Sequence, residues 1–113
     1  MDDCIFCRIA SGAVPSDIVL EDGGFVAFRD INPKAPQHVL IVPREHIGSL
    51  NELDRWDDGR GHALLVFAVR VAEHLGISES GYRLLTNVGP DGGQVVQHLH
   101  LHVLGGAKLG DLC

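Results

Sequence analysis

Residues 97–106 read QHLHLHVLGG, so His98, His100 and His102 recur at every second position with Leu99, Leu101 and Val103 between and after them. On a β-strand that spacing sends the three imidazoles to one face, about 6.8 Å between neighbours, and the aliphatic residues to the other. Imidazole titrates near neutrality and serves as base, nucleophile or metal ligand. Two chemistries fit the run. Neutral imidazoles at i and i+2 can chelate a metal ion. Alternatively, one imidazole attacks phosphorus or a carbonyl while its neighbours orient it or pass protons. The preceding VGPDGGQVVQ, residues 88–97, is rich in glycine. Successive backbone N–H groups near Gly92, Gly93 and Gln94 would form the kind of concave nest that holds an anion, which favours phosphorus.

Cys4 and Cys7 form a second constellation. A redox Cys-x-x-Cys normally follows a strand, and no strand precedes residue 4. Half of a tetrahedral zinc site fits the pair better, with His46 and His98 as candidates for the other two ligands. Cys113, the last of three cysteines, is expected to be a free thiol. His38 opens a strand. It either orients another imidazole by fixing its proton or is simply a half-exposed strand residue. His62 and His74 read as helix-surface residues without a role, and Trp56 reads as packing.

The elements that must position these groups follow from the pattern. CIFCRIASG is a short helix stopped at Gly12, and DIVLED and FVAFRD are two strands joined at Gly23-Gly24. Residues 38–43 form a third strand. A turn-rich polar stretch leads into the one long helix, residues 58–75, whose Leu64, Phe67, Ala68, Val71, Ala72 and Leu75 share a face and which Gly76 stops. YRLLTN and HLHLHVL are the last strands. The order predicts an α+β fold: a five-stranded antiparallel sheet with one main helix and a short N-terminal helix, in one domain spanning residues 1–113.

Composition narrows the function. The chain has 113 residues, 45% of them hydrophobic, and a net charge of −6 without a basic run. That argues against a sequence-independent grip on nucleic acid, which needs many neutralised phosphates. It leaves open a small nucleotide held by backbone amides and imidazoles. The N-terminus lacks the basic and apolar segments of a signal peptide, and no apolar run approaches the roughly 20 residues of a membrane span. A cytoplasmic protein with reduced thiols and no membrane partner is expected.

With these residues assembled, the chain resembles the histidine triad (HIT) family, in its Hint-like branch of nucleotide-binding phosphoramide hydrolases. The resemblance runs through CIFCRIASGAVPSDIVLED, FVAFRDINPKAPQHVLIVPREHI and GYRLLTNVGPDGGQVVQHLHLHVLGG, nearly end to end. It implies that His100 is the nucleophile on the α-phosphorus of a purine nucleotide conjugate, forming a nucleotidyl-histidine. His102 would contact phosphate near the leaving group, and His38 would belong to the network orienting His100. Asn87, Gly93 and Val95 would hold phosphate and Asp30 the ribose. Ile5, Phe6, Val14, Phe28, Ile31 and Leu40 would line the purine slot. Structural zinc would sit on Cys4, Cys7, His46 and His98, and a homodimer would form through the long helix and the sheet edges. Two features depart from the family: Val95 stands where a serine is common, and the tail GGAKLGDLC lacks the Trp-containing extension of animal relatives. Without the hydroxyl, a purine-nucleotide-binding module that acts through a partner with little catalysis is the alternative.

Overall fold

The central strands are uninterrupted apolar runs, FVAF and VLIV, because the sheet is covered on both faces. A computed structural model describes residues 3–56 and 58–111; Cys113 lies outside the described residues. The elements run α1 (Ile5–Ser11), β1 (Ile18–Glu21), β2 (Phe25–Arg29), β3 (Gln37–Pro43), α2 (Arg60–His74), β4 (Tyr82–Leu85) and β5 (Leu101–Gly105), with a 3-10 turn at Leu50–Arg55. All pairings are antiparallel and the sheet order is β1-β2-β3-β5-β4, so the last strand lies inside the sheet and not at its edge. This is the α+β class expected.

One face of the sheet presents Phe25, Ala27, Val39, Ile41, Leu101 and Val103 to α2, which answers with Leu64, Phe67, Ala68, Val71 and Ala72. The opposite face presents Val26, Phe28, Leu40 and Val42 to Phe6 and Ala10 of α1. His102 pairs across from Leu40, and His38 lies two residues before Leu40 on the same strand. Period-two alternation therefore puts both histidines on the α1 side. Trp56 packs edge-on against Phe25, ring centroids 6.4 Å apart.

Several boundaries differ from the sequence reading. The histidine strand begins at Leu101, not at 98, because the preceding backbone is tied elsewhere. Leu99 N–H donates to the Ile47 carbonyl at 2.6 Å, and the Thr86 hydroxyl donates to the His100 carbonyl at 2.7 Å. β4 stops at Leu85, which faces His102, and the next residue, Thr86, turns its hydroxyl to the His100 carbonyl just before β5 begins. α2 starts at Arg60 because Gly59, at φ 83°, is outside helical space and acts as N-cap. It ends as expected: Gly76 has φ 74° and Ile77 N–H reaches back to the Ala72 carbonyl. The polar stretch before α2 holds the 3-10 turn, capped by the Ser49 hydroxyl, which accepts from Asn51 N–H. The β1–β2 turn is closed by Asp22, whose Oδ1 accepts from the N–H groups of Gly24 and Phe25.

Candidate active site

α1 is only seven residues long, yet it contributes to two neighbouring sites. Cys4 is its N-cap and Cys7 its third residue, so both sulfurs sit at the same helix end, and Cys4 Sγ accepts from Cys7 N–H at 3.4 Å. His46 and His98 are brought to the same place. Cys4 Sγ lies 3.3 Å from His98 Nδ1, and Cys7 Sγ lies 3.3 Å from His46 Nδ1 and 3.5 Å from His98 Nδ1. Tetrahedral sites with two sulfurs and two nitrogens put neighbouring donors roughly 3.3–3.8 Å apart. Of the two His98 nitrogens, Nε2 carries the proton and donates it to the Pro43 carbonyl at 2.9 Å, which leaves the Nδ1 lone pair toward the sulfurs. Burial pushes the His98 pKa down to about 4, so the ring is neutral at pH 7, the form that ligates. Burial, reinforced by the Cys4 thiol, raises the Cys7 thiol above its ordinary value, a trend that a bound cation reverses. These four residues fit a metal ion.

His100 and His102 belong to a different cluster. His100 donates Nδ1–H to the carbonyl of His98 at 2.7 Å, so its Nε2 keeps the lone pair. Phe6 packs edge-on against the ring at 4.9 Å. His38 Nδ1 accepts from Lys34 N–H at 3.0 Å, which puts the His38 proton on Nε2. That proton points to His102 Nδ1 at 3.0 Å, with Asp30 Oδ2 at 3.4 Å. His102 thereby carries its own proton on Nε2, which is buried and has no partner among the described residues. Burial, then the nearby His100 and His38 rings, push the His102 pKa down to about 4. Burial likewise lowers His38, with Asp30 opposing. Asp30, His38 and His102 are close enough to chelate, but the Lys34 N–H commits His38 Nε2 to being a donor. Within the trio the His38-to-His102 hydrogen bond leaves an unspent N–H on His102, and the Asp30 carboxylate stands beside it at 3.4 Å from His38 Nε2.

Two cavities meet at this chain. One, of about 640 Å³, is bounded by Ile5, Phe6, Val14, Phe28, Ile31 and Leu40, with Ile9, Pro15 and Asp17 also on its walls and Asp30 at the junction. The other, of about 700 Å³, shares Phe6, Asp30, Ile31 and Leu40 and continues past His38, His100 and His102 to Asn87, Gly93 and Val95. Every nucleotide-contacting residue that the sequence suggested lines one or both. Val95 is 88% exposed and Ile31 90%, so both stand at the rim. In the 88–97 loop, Gly93 has φ 81°, and a Cβ on Gly92 would overlap the Val88 carbonyl oxygen. The loop closes only with glycine there. The two glycines at the end of β5 have similar reasons: a Cβ on Gly105, its last residue, would stand 2.9 Å from Ile77 Cδ1, and Gly106, just after it, has φ 90°.

Sequence reasoning missed several residues that build these sites. Arg44 donates to the Asp22 carbonyl (2.8 Å), the Ala10 carbonyl (2.6 Å) and Glu21 (3.0 Å), joining α1 to the first hairpin. Arg60 pairs with Glu45 at 3.0 Å and lies over Phe25 and Trp56. Leu85, Leu104 and Val96 line the larger cavity. Nothing in their types or spacing singled them out.

Residues 11–109 match the HIT domain model. The chain is 41% identical over 98% of its length to a purine nucleoside phosphoramidase of Escherichia coli strain K12, of which it spans 93%. A histidine triad protein from Clostridium difficile superimposes with a TM-score of 0.94 at 42% identity, covering 99% of this chain and 97% of that one. A HIT family hydrolase from Legionella pneumophila Philadelphia 1 is 46% identical, with a TM-score of 0.87 and 96% coverage of both chains. The antiparallel sheet and its helices match those HIT structures, and the chain belongs to the HIT domain family.

Proposed function

We propose that this protein hydrolyses purine nucleoside 5′-phosphoramidates or related AMP and GMP conjugates through a nucleotidyl-His100 intermediate. The observation that carries this is the tautomer of His100: with Nδ1–H spent on the His98 carbonyl, Nε2 is free as a nucleophile on the wall of the larger cavity. The base occupies the apolar cavity under α1, Asp30 takes the ribose hydroxyls at the junction, and Asn87 with the backbone at Gly93 and Val95 receives phosphate. Nε2 attacks the α-phosphorus, the P–N bond to the leaving amine breaks, and the amine departs with a proton taken from water. Water then attacks the nucleotidyl-imidazole, releasing the 5′-nucleotide and restoring His100. The unpartnered Nε2–H of His102 is the donor for phosphate oxygens near the leaving group, and His38 and Asp30 keep it in that tautomer. Release of AMP from adenosine 5′-phosphoramidate is the test: His100→Ala is expected to lose at least ~10³-fold in kcat. A variant that turns over like wild type would overturn the assignment. Val95, which has no proton to give, supports the alternative of a binding module; AMP binding without turnover of any conjugate would establish it.

The cluster of Cys4, Cys7, His46 and His98 holds structural zinc in this reading, away from the reacting atoms. Metal analysis of the purified protein should find one zinc per chain, lost in Cys4→Ser together with several degrees of thermal stability. Zinc that persists in that variant, with activity dependent on added metal, would argue for catalytic metal instead. The functional unit is a cytoplasmic homodimer built on α2, supported by the aliphatic side chains on its outer face. Its ligand is a mononucleotide, with no role for nucleic acid or membrane.

A further inference from the structure

The loops at 44–49 and 88–97 come from distant parts of the chain, and one buried side chain pins them together. Gln94 is 8% exposed. Its Oε1 accepts from Gly89 N–H at 3.0 Å, while Nε2 donates to the carbonyls of Gly48 at 2.8 Å and Val96 at 3.0 Å. Only a primary amide can accept and donate twice from one uncharged end. The bond to Gly48 crosses between the loops; the other two brace the glycine-rich loop from within. Two more ties run beside it, from Leu99 N–H to the Ile47 carbonyl and from His98 Nε2–H to the Pro43 carbonyl. The 44–49 loop carries His46 of the cysteine–histidine cluster, and Gly93 and Val95, on either side of Gln94, line the reaction cavity.

We infer that Gln94 is a positioning residue coupling metal occupancy of that cluster to the shape of the 88–97 loop, so that zinc and the nucleotide phosphate each tighten the other's binding. The inference rests on the reading of this loop as the phosphate site. An ion on His46 and His98 fixes the 44–49 segment, which holds the Gly48 carbonyl in place. Gln94 bonds that carbonyl and, through its other amide atom, fixes Gly89 N–H. Gly89 and Gly93 both have positive φ, so this loop loses much conformational freedom on ordering. If the loop is partly ordered in advance, less of that loss falls on ligand binding, and the coupling is reciprocal.

Gln94→Met removes all three bonds at similar volume. Gln94→Glu keeps an acceptor for Gly89 but loses both donated bonds, the tie to Gly48 and the brace to Val96. Zinc affinity by chelator competition, with and without AMP, is expected to rise about tenfold with AMP in wild type, or about 1.4 kcal/mol of coupling. In both variants the AMP effect should fall below about twofold. In the zinc-loaded proteins, amide exchange should quicken across residues 88–97 in the variants while β3 and α2 stay protected. A variant that keeps the full AMP effect on zinc affinity, or exchange at 88–97 no faster than wild type, would overturn the inference. If loaded wild type binds no AMP, the nucleotide reading falls, and exchange alone decides whether Gln94 couples the two loops.

Discussion

The three histidines of one short run are distinguished by where each ring's proton goes. His98 gives Nε2–H to Pro43 and turns Nδ1 to two sulfurs; His100 gives Nδ1–H to a carbonyl and keeps Nε2 bare; His102 accepts at Nδ1 and holds Nε2–H in reserve. Residue types and alternation located this group in the sequence, but tautomers depend on carbonyls and amides from residues 34, 43 and 98, which no local pattern announces. Gln94 was legible only as part of a glycine-rich loop, since its partners are backbone atoms up to 46 positions away. Val95 was legible through the family resemblance, as the residue standing where a serine is common. It is almost fully exposed at the cavity rim, so its replacement should cost the fold little. Val95→Ser is expected to raise turnover of conjugates with poor amine leaving groups several-fold, with an unchanged melting temperature. Steady-state kinetics across amines of graded basicity would check it, the gain growing with amine basicity.

The elements were legible where periodicity was strong. α1, α2 and all five strands stand near their expected places, because burial on one or both faces dictates their patterns. Strand ends were misjudged where backbone groups leave the ladder for a loop, as at Leu99 and His100, and the 3-10 turn at Leu50–Arg55 has too few residues to show a period. α2 also shows more than packing needs. Leu65, Val66 and Val69 are 53%, 45% and 47% exposed on the side away from the sheet. Covering such side chains against a second copy would remove apolar area from water at about 25 cal/mol per Å². Val69→Glu would place a charge there and is expected to shift sedimentation from dimer to monomer while leaving the circular dichroism spectrum unaltered. A monomeric wild type would remove the proposal.

Across the whole molecule, buried imidazoles set the response to acid. His98 and His102 have folded-state pKa values near 4 against an ordinary 6.5. Between those values the unfolded chain takes up protons that the folded chain refuses. Stability from these groups is full above about pH 6.5 and drains away as pH falls toward 4. Thermal melts should show the loss over that window, and His102→Gln should flatten it; equal slopes in both proteins would contradict the assignment.

The position of β5 bears on how the molecule is made. It is the last strand in the chain, yet it lies between β3 and β4. A ribosome-bound chain lacking residues 101–105 can close the meander of β1, β2 and β3 but leaves an open edge on β3 and gives β4 no neighbour. α1 has seven residues, too few to hold a helix alone, and Cys4 and Cys7 meet His98 only across the fold. His98, His100, His102 and the strand that completes the sheet thus come from one stretch, residues 98–105. Until residues 101–105 pair with β3, His102 has no place beside His38.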